Sequence, residues 1–192
     1  MVDAARQPLV EVKAYTEVEK VEGFVGNFKV TLREKAKYVR ADRCNGCAAC
    51  AKACPVEVPN YFEMNLAPRK AAYIPMSQSV PLIYNIDMDA CIHCYKCVEA
   101  CGALEAIDFS MEDKIIEEDI GAIVVATGFG HFDPTPMTEY GYGRFPNVIT
   151  AMEMERLNNS AGATHGRVVR PSDNVRPQRL AIINCVGSRD KR

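Results

Sequence analysis

No apolar stretch in this sequence approaches the roughly 20 residues needed to cross a bilayer. The opening residues, Met1 to Glu11, lack the charged segment and following apolar run that mark a secretory signal. A net charge of −2 and a pI near 6.0 leave no basic excess to hold nucleic acid or an anionic membrane surface. Eleven prolines and twelve glycines are scattered as turns, and no low-complexity tract collects them. Gly128-Phe129-Gly130 and Gly141-Tyr142-Gly143 begin a G-x-G-x-x-G dinucleotide fingerprint, but neither completes it. No residue reads as a substrate-binding nucleophile, general acid or general base. What remains is a globular chain with 48% apolar and 25% charged residues, ordinary proportions for a folded protein. Its 192 residues suffice for one large domain or two small ones. No membrane insertion and no nucleic-acid partner are expected.

Cysteine is what the chain has in excess. Eight of its nine cysteines fall into two copies of one spacing, Cys44-x2-Cys47-x2-Cys50-x3-Cys54-Pro55 and Cys91-x2-Cys94-x2-Cys97-x3-Cys101-Gly102. Clustered thiols without a secretory signal point to metal in a reducing cytoplasm rather than to a disulfide scaffold. Two four-thiolate zinc sites are the plain alternative, but zinc sites usually pair two CxxC units across a longer loop. Three cysteines at x2 spacing with a fourth at x3 fit a pair of [4Fe-4S] clusters, the fourth thiolate of each run ligating the other cluster. The expected sets are Cys44, Cys47, Cys50 and Cys101 on one cluster, and Cys91, Cys94, Cys97 and Cys54 on the other. Gly102 stands where a second proline is usual, which removes no ligand.

The segments around these runs predict an α+β organisation. Residues 9–41 read as an antiparallel meander, with Phe28, Val30 and Leu32 alternating against Lys29, Thr31 and Arg33 and a turn at Gly26-Asn27. Residues 41–112 hold the repeat, with helix-forming Ala51, Lys52 and Ala53 after one third cysteine and Val98, Glu99 and Ala100 after the other. Ile107-Asp108-Phe109 reads as a short returning strand. The 36 residues between Cys54 and Cys91, punctuated by Pro55, Pro59, Pro68, Pro75 and Pro81, read as a surface excursion that docks on other parts of an assembly. Past residue 113, Ile120 to Gly128 and Leu180 to Gly187 read as strands buried on both faces of a parallel sheet. Thr150 is placed to cap a helix through Asn158, with Ala151, Met152 and Leu157 on its apolar side. The expected divisions are therefore 1–40, 41–112 and 113–192.

Other residues have modest expectations. His93, between two ligands, is expected near its cluster or in solvent, because the motif lacks the composition of a Rieske centre. Tyr95 is expected to pack over or near its cluster. Cys185, closing an apolar strand, reads as an inert core thiol, and a redox role is the alternative. Arg167, Arg170 and Arg176 read as a solvated loop, with phosphate binding as the alternative. Ala126-Thr127-Gly128, after an apolar run, reads equally as a buried strand ending in a turn or as a cofactor approach.

With these segments taken together, the chain resembles the A subunit of heterodisulfide reductase. The resemblance rests on the ferredoxin run, the insert from Arg69-Lys70-Ala71 to Ser79-Val80-Pro81, and the strand Gly121 to Phe129. It also rests on the stretch Glu139-Tyr140-Gly141-Tyr142-Gly143-Arg144-Phe145-Pro146-Asn147-Val148-Ile149-Thr150 and the tail Cys185-Val186-Gly187-Ser188-Arg189-Asp190. It implies a two-[4Fe-4S] bacterial-ferredoxin-like domain flanked by partial FAD- and NAD-binding, thioredoxin-reductase-like segments. It further implies that Ala126, Thr127 and Gly128 approach FAD in the full-length family member, whose glycine-rich FAD fingerprint is absent from this sequence. The implied setting is cytoplasmic: electron transfer between FAD and partner subunits B and C, with the remainder of the flavoprotein subunit and a hydrogenase or formate dehydrogenase subunit. In that family the flavin splits electron pairs between the CoB–CoM disulfide and ferredoxin. The alternatives are a standalone ferredoxin-like carrier or adaptor without flavin, and a subunit of a quinone-interacting oxidoreductase complex.

Overall fold

The computed structural model describes residues 2–128 and 130–188, so Phe129 and the Arg189-Asp190 pair of the tail lie outside the described residues. Two compact units emerge. One comprises the residues up to Val58 together with Arg69–Val125, and the other comprises Pro59–Pro68 together with the residues from Ala126 on.

In the first unit, the alternation at Phe28, Val30 and Leu32 produces the expected strand. Strand β1 (Thr16–Phe24) and strand β2 (Asn27–Glu34) form an antiparallel hairpin that turns at Val25-Gly26. Val30 and Leu32 are buried while Lys29 and Arg33 face solvent, as period two requires of a sheet with one wet face. Residues 9–15, expected within the meander, form no strand. The third strand of the sheet is Lys114–Ile120, antiparallel to β2 and carrying Glu117, Glu118 and Asp119. The acidic stretch is thus itself a strand. Its carboxylates find cations on β2 and on the segment before β1, Lys29 facing Glu117 at 3.9 Å and Lys13 facing Glu118 at 2.8 Å.

The two runs that read as buried strands are not strands. Residues 122–128 and 180–184 have no ladder partner and lie exposed, Val124 by 90% and Ile182 by 74%. A continuous apolar run signals burial on two faces only where neighbouring strands and covering layers exist. Among the described residues these segments have neither. Cys185, expected in a core, is exposed for the same reason. No helix among the described residues is long and apolar enough to cross a membrane.

The cysteine repeat builds the rest of the first unit. Each third cysteine lies in a short helix, α1 (Ala49–Ala53) and α2 (Lys96–Cys101), as the helix-forming residues after it predict. The strand positions before the two runs are also equivalent. Val39 forms an isolated antiparallel bridge with Ile107, and Ile86 pairs with Ala72. The returning strand expected at Ile107 to Phe109 is therefore one bridge long. Val39, Ala72, Ile83, Ile86 and Ala106 close over Cys50 and Cys97 in one apolar core. The return to Ala72 after Cys54 is far longer than the return to Ile107 after Cys101. The excess holds Pro59–Pro68, which belongs to the second unit. Arg69 anchors the returning chain, 2.5 Å from Asp87 and stacked 4.0 Å from the Tyr73 ring.

The second unit is organised by helix α3 (Ala151–Asn158). Thr150 Oγ1 accepts from the Glu153 amide at 3.2 Å, and the Thr150 amide donates to Glu153 Oε2 at 2.6 Å. This reciprocal pair satisfies two amides that would otherwise be orphaned at the helix start. Leu157 is buried at 3% exposure and Met152 is half-buried, as expected. Ala151 instead faces solvent, and the charged Arg156 is buried. Arg156 lies 3.7 Å from Glu63 and 5.0 Å from the Phe62 ring, both on the 59–68 excursion. The excursion is held by a buried charge pair, a contact that apolar periodicity does not signal.

Candidate metal centre

Each cysteine of the first run has a counterpart of the same burial in the second. Cys50 and Cys97 are buried at 8% exposure, Cys47 and Cys94 are exposed, and Cys44, Cys54, Cys91 and Cys101 lie between. Backbone geometry repeats with them. The residue before the second cysteine has positive φ in both halves, 71° at Gly46 and 51° at His93. So does the residue two before the third, 66° at Ala48 and 58° at Tyr95. Left-handed residues among right-handed ones turn successive amides toward one side of the chain, a concavity suited to an anion.

Backbone amides also reach sulfur directly. The His93 amide donates to Cys91 Sγ at 3.4 Å and the Ala106 amide to Cys101 Sγ at 3.3 Å. Amide donors on sulfur favour the thiolate and, around a bound cluster, tune its potential.

The sulfurs are grouped across the two runs. One cavity is lined by Cys44, Cys47 and Cys50 from the first run and by Cys101 from the second, with Tyr84 and Ile107 among its other walls. Four thiols, three from the first run and one from the second, are the number and crosswise origin that the ferredoxin spacing asks of one [4Fe-4S] ligand set. Burial pushes the Cys50 thiol up to about 12, helped by the neighbouring Cys44, Cys47 and Cys97. Cys97 is raised likewise, by burial and then by Cys91 and Cys94. Apolar surroundings therefore keep these thiols neutral until a cation takes the proton's place, so loading releases protons. Cys54 packs against the same core.

The halves differ at one glycine. A Cβ on Gly46 would come within 2.9 Å of Leu82 Cδ2, so the chain crosses directly over this loop. At the equivalent place the second run carries His93, whose exposed ring lies 5.9 Å from Phe109 and 6.5 Å from Tyr95. Tyr95 meets Phe109 edge-on at 5.4 Å and stays 54% exposed. Gly46→Ala should cost about 1–2 kcal/mol from the left-handed backbone alone, with the Leu82 contact added to it. Thermal unfolding of the loaded protein reads this, and a midpoint equal to the wild type's would contradict it.

Ala126, Thr127 and Gly128 are exposed, belong to the second unit, and are not among the walls of that unit's cavity. This cavity, about 840 Å³, is walled by Ile149, Met152, Leu180, Ile183 and Cys185 among others. Arg170, also at its wall, is paired with Asp173 at 2.5 Å. Reading the sequence alone overlooks Tyr84. Superposing the two cysteine runs marks its position, because the repeat puts Lys37 at the equivalent place.

Comparison with known proteins matches residues 43–107 to the family described as a 4Fe-4S dicluster domain. Across almost its full length the chain is 50% identical to the iron-sulfur A subunit of the CoB–CoM heterodisulfide reductase of Methanocaldococcus jannaschii, covering 99% of the chain and 29% of that protein. It is 47% identical to the A subunit of the H2:CoB-CoM heterodisulfide,ferredoxin reductase of Methanothermobacter thermautotrophicus, covering 100% of the chain and 29% of that protein. It is 48% identical to the A subunit of the H2/formate:CoB-CoM heterodisulfide,ferredoxin reductase of Methanococcus maripaludis, covering 100% of the chain and again 29% of the relative.

Proposed function

We infer that this chain, similar over its length to heterodisulfide reductase A subunits, is part of such a subunit and relays electrons between a flavin and partner subunits through two [4Fe-4S] clusters. Each cluster, when bound, takes up and passes on single electrons. The chain's residues supply the holding and the tuning. Cys44, Cys47, Cys50 and Cys101 would ligate one cluster, and Cys91, Cys94, Cys97 and Cys54 the other. The amides of His93 and Ala106 would polarise the ligating sulfurs. What supports this most is that Cys101, from the second run, shares a cavity with three cysteines of the first, the crosswise grouping that the ferredoxin spacing requires.

The chain spans less than a third of its relatives' length, so the wider activity belongs to a larger assembly. In that reading FAD sits on the remainder of the flavoprotein subunit, and Ala126-Thr127-Gly128 is the turn that approaches it. The flanking segments are then parts of a nucleotide-binding flavoprotein fold. Subunits B and C, with a hydrogenase or formate dehydrogenase subunit, complete a cytoplasmic complex that reduces the CoB–CoM disulfide. The exposed runs 122–128 and 180–184 supply apolar surface for such neighbours.

The test is the assembled complex carrying Cys94→Ala. Its flavin should still be reduced by the electron donor while disulfide reduction falls to background. Wild-type turnover without the second cluster would refute a relay role.

A further inference from the structure

The two cysteine runs match in spacing, in the burial of their cysteines and in their backbone turns, yet what surrounds the cysteines differs. The second run carries Ile92, His93, Tyr95 and Val98, all facing solvent, Ile92 by 64%, Tyr95 by 54% and Val98 by 41%. At the same places the first run has Asn45, Gly46, Ala48 and Ala51, and the last three are half-buried. The chain's own Leu82 lies over that loop, where a Cβ on Gly46 would come within 2.9 Å of it. One loop is small and roofed; the other is large, apolar and open.

The open loop is an ordered surface. His93, Tyr95 and Phe109 face one another at ring separations of 5.4, 5.9 and 6.5 Å. Val98 follows one turn along α2 from Tyr95, its amide donating to the Tyr95 carbonyl at 2.9 Å. Cys94, beside Tyr95 and His93 in the chain, is the exposed cysteine of its run. Ile92, Tyr95 and Val98 together offer roughly 300 Å² of surface, the range in which a patch on a monomer is often functional. A lasting interface takes about 800 Å² from each partner, while electron-transfer encounters sit at the small end of the range. The area therefore suits a partner that comes and goes, and aromatic side chains are what such contacts favour.

We propose that the face built by Ile92, His93, Tyr95, Val98 and Phe109 around Cys94 is where a separate one-electron carrier protein docks transiently, so that this chain exchanges electrons with its surroundings at the second site. The first site offers no such face, because Leu82 takes its place. One electron passes in each encounter, lost by one centre and gained by the other, and no bond forms or breaks. This rests on the two-cluster reading of the cysteines.

The test transplants the first run's residues into the second. The triple variant Ile92→Asn, Tyr95→Ala, Val98→Ala carries at each place what the other run already uses, so its iron and acid-labile sulfide should equal the wild type's. Anaerobic stopped-flow follows electron uptake by the oxidised chain from reduced ferredoxin, a carrier that must dock, and from the methyl viologen radical, which need not. The rate constant with ferredoxin should fall about tenfold, the effect of truncating central contacts of an interface, and that with viologen should stay. An unchanged ferredoxin rate, a viologen rate that falls by the same factor, or a wild-type protein that ferredoxin does not reduce would overturn the docking face and leave the two-cluster reading standing. So would a wild-type dimer in sedimentation that the triple variant loses, since the face would then join two copies of this chain. A wild-type protein without acid-labile sulfide would overturn both.

Discussion

Replacing Cys101 with alanine should remove the same cluster as replacing Cys47, and should spare the one held by Cys91, Cys94 and Cys97. Sequence proximity alone would give the opposite result, since Cys101 closes the second run. The difference comes from packing. α1 and α2 bring Cys50 and Cys97 into one core, and the last residue of α2, Cys101, reaches the cavity of the first run. Alanine offers no thiolate, and the thiolate is the metal ligand. Iron should fall from about eight to about four per chain. The EPR signal that survives in Cys101→Ala should be the one lost in Cys94→Ala. Loss of the same signal in Cys101→Ala and Cys94→Ala would contradict the crossed assignment. Because cluster binding is coupled to folding, circular dichroism of each variant should accompany the iron count.

Arg156→Ala should destabilise the second unit by about 3–5 kcal/mol, the range for removing one partner of a buried ion pair. Glu63 and Arg156 have side chains only 10% and 11% exposed. Glu63 Oε2 already lacks a hydrogen-bond partner, so loss of the guanidinium would leave a buried charge with nothing near to offset it. The guanidinium also covers the Phe62 ring, and that contact goes too. Replacing both charges, as in Glu63→Leu with Arg156→Leu, should recover most of the loss, because two apolar groups of similar size need no pairing. Urea unfolding gives the stabilities, and protease cleavage within residues 59–68 gives the local consequence. A single variant within about 1 kcal/mol of wild type, the range of an exposed pair, would contradict a buried role.

These two effects mark what is legible in the sequence and what is not. The cysteine spacing announces the cavity that Cys101 shares with Cys44, Cys47 and Cys50, because ligand spacing reflects the bound group and depends little on the rest of the fold. Thr150 and Glu153 announce α3 because a capping box is satisfied locally, by groups three residues apart. Phe28, Val30 and Leu32 announce β2 because one face of the sheet is wet and the pattern survives. Ile120 to Gly128 misleads, because an apolar run reports the burial a segment could use and says nothing of whether neighbours are there to provide it. Arg156 is invisible for the converse reason: a charged residue reads as solvated until its partner, Glu63, is brought close by a distant excursion.

Iron, acid-labile sulfide and zinc, measured together on the anaerobically purified chain, test the central claim most directly. Two [4Fe-4S] clusters require about eight iron and about eight sulfide per chain, with no stoichiometric zinc. About two zinc per chain and no acid-labile sulfide would mean two four-thiolate structural sites, and the electron relay would fall with the clusters.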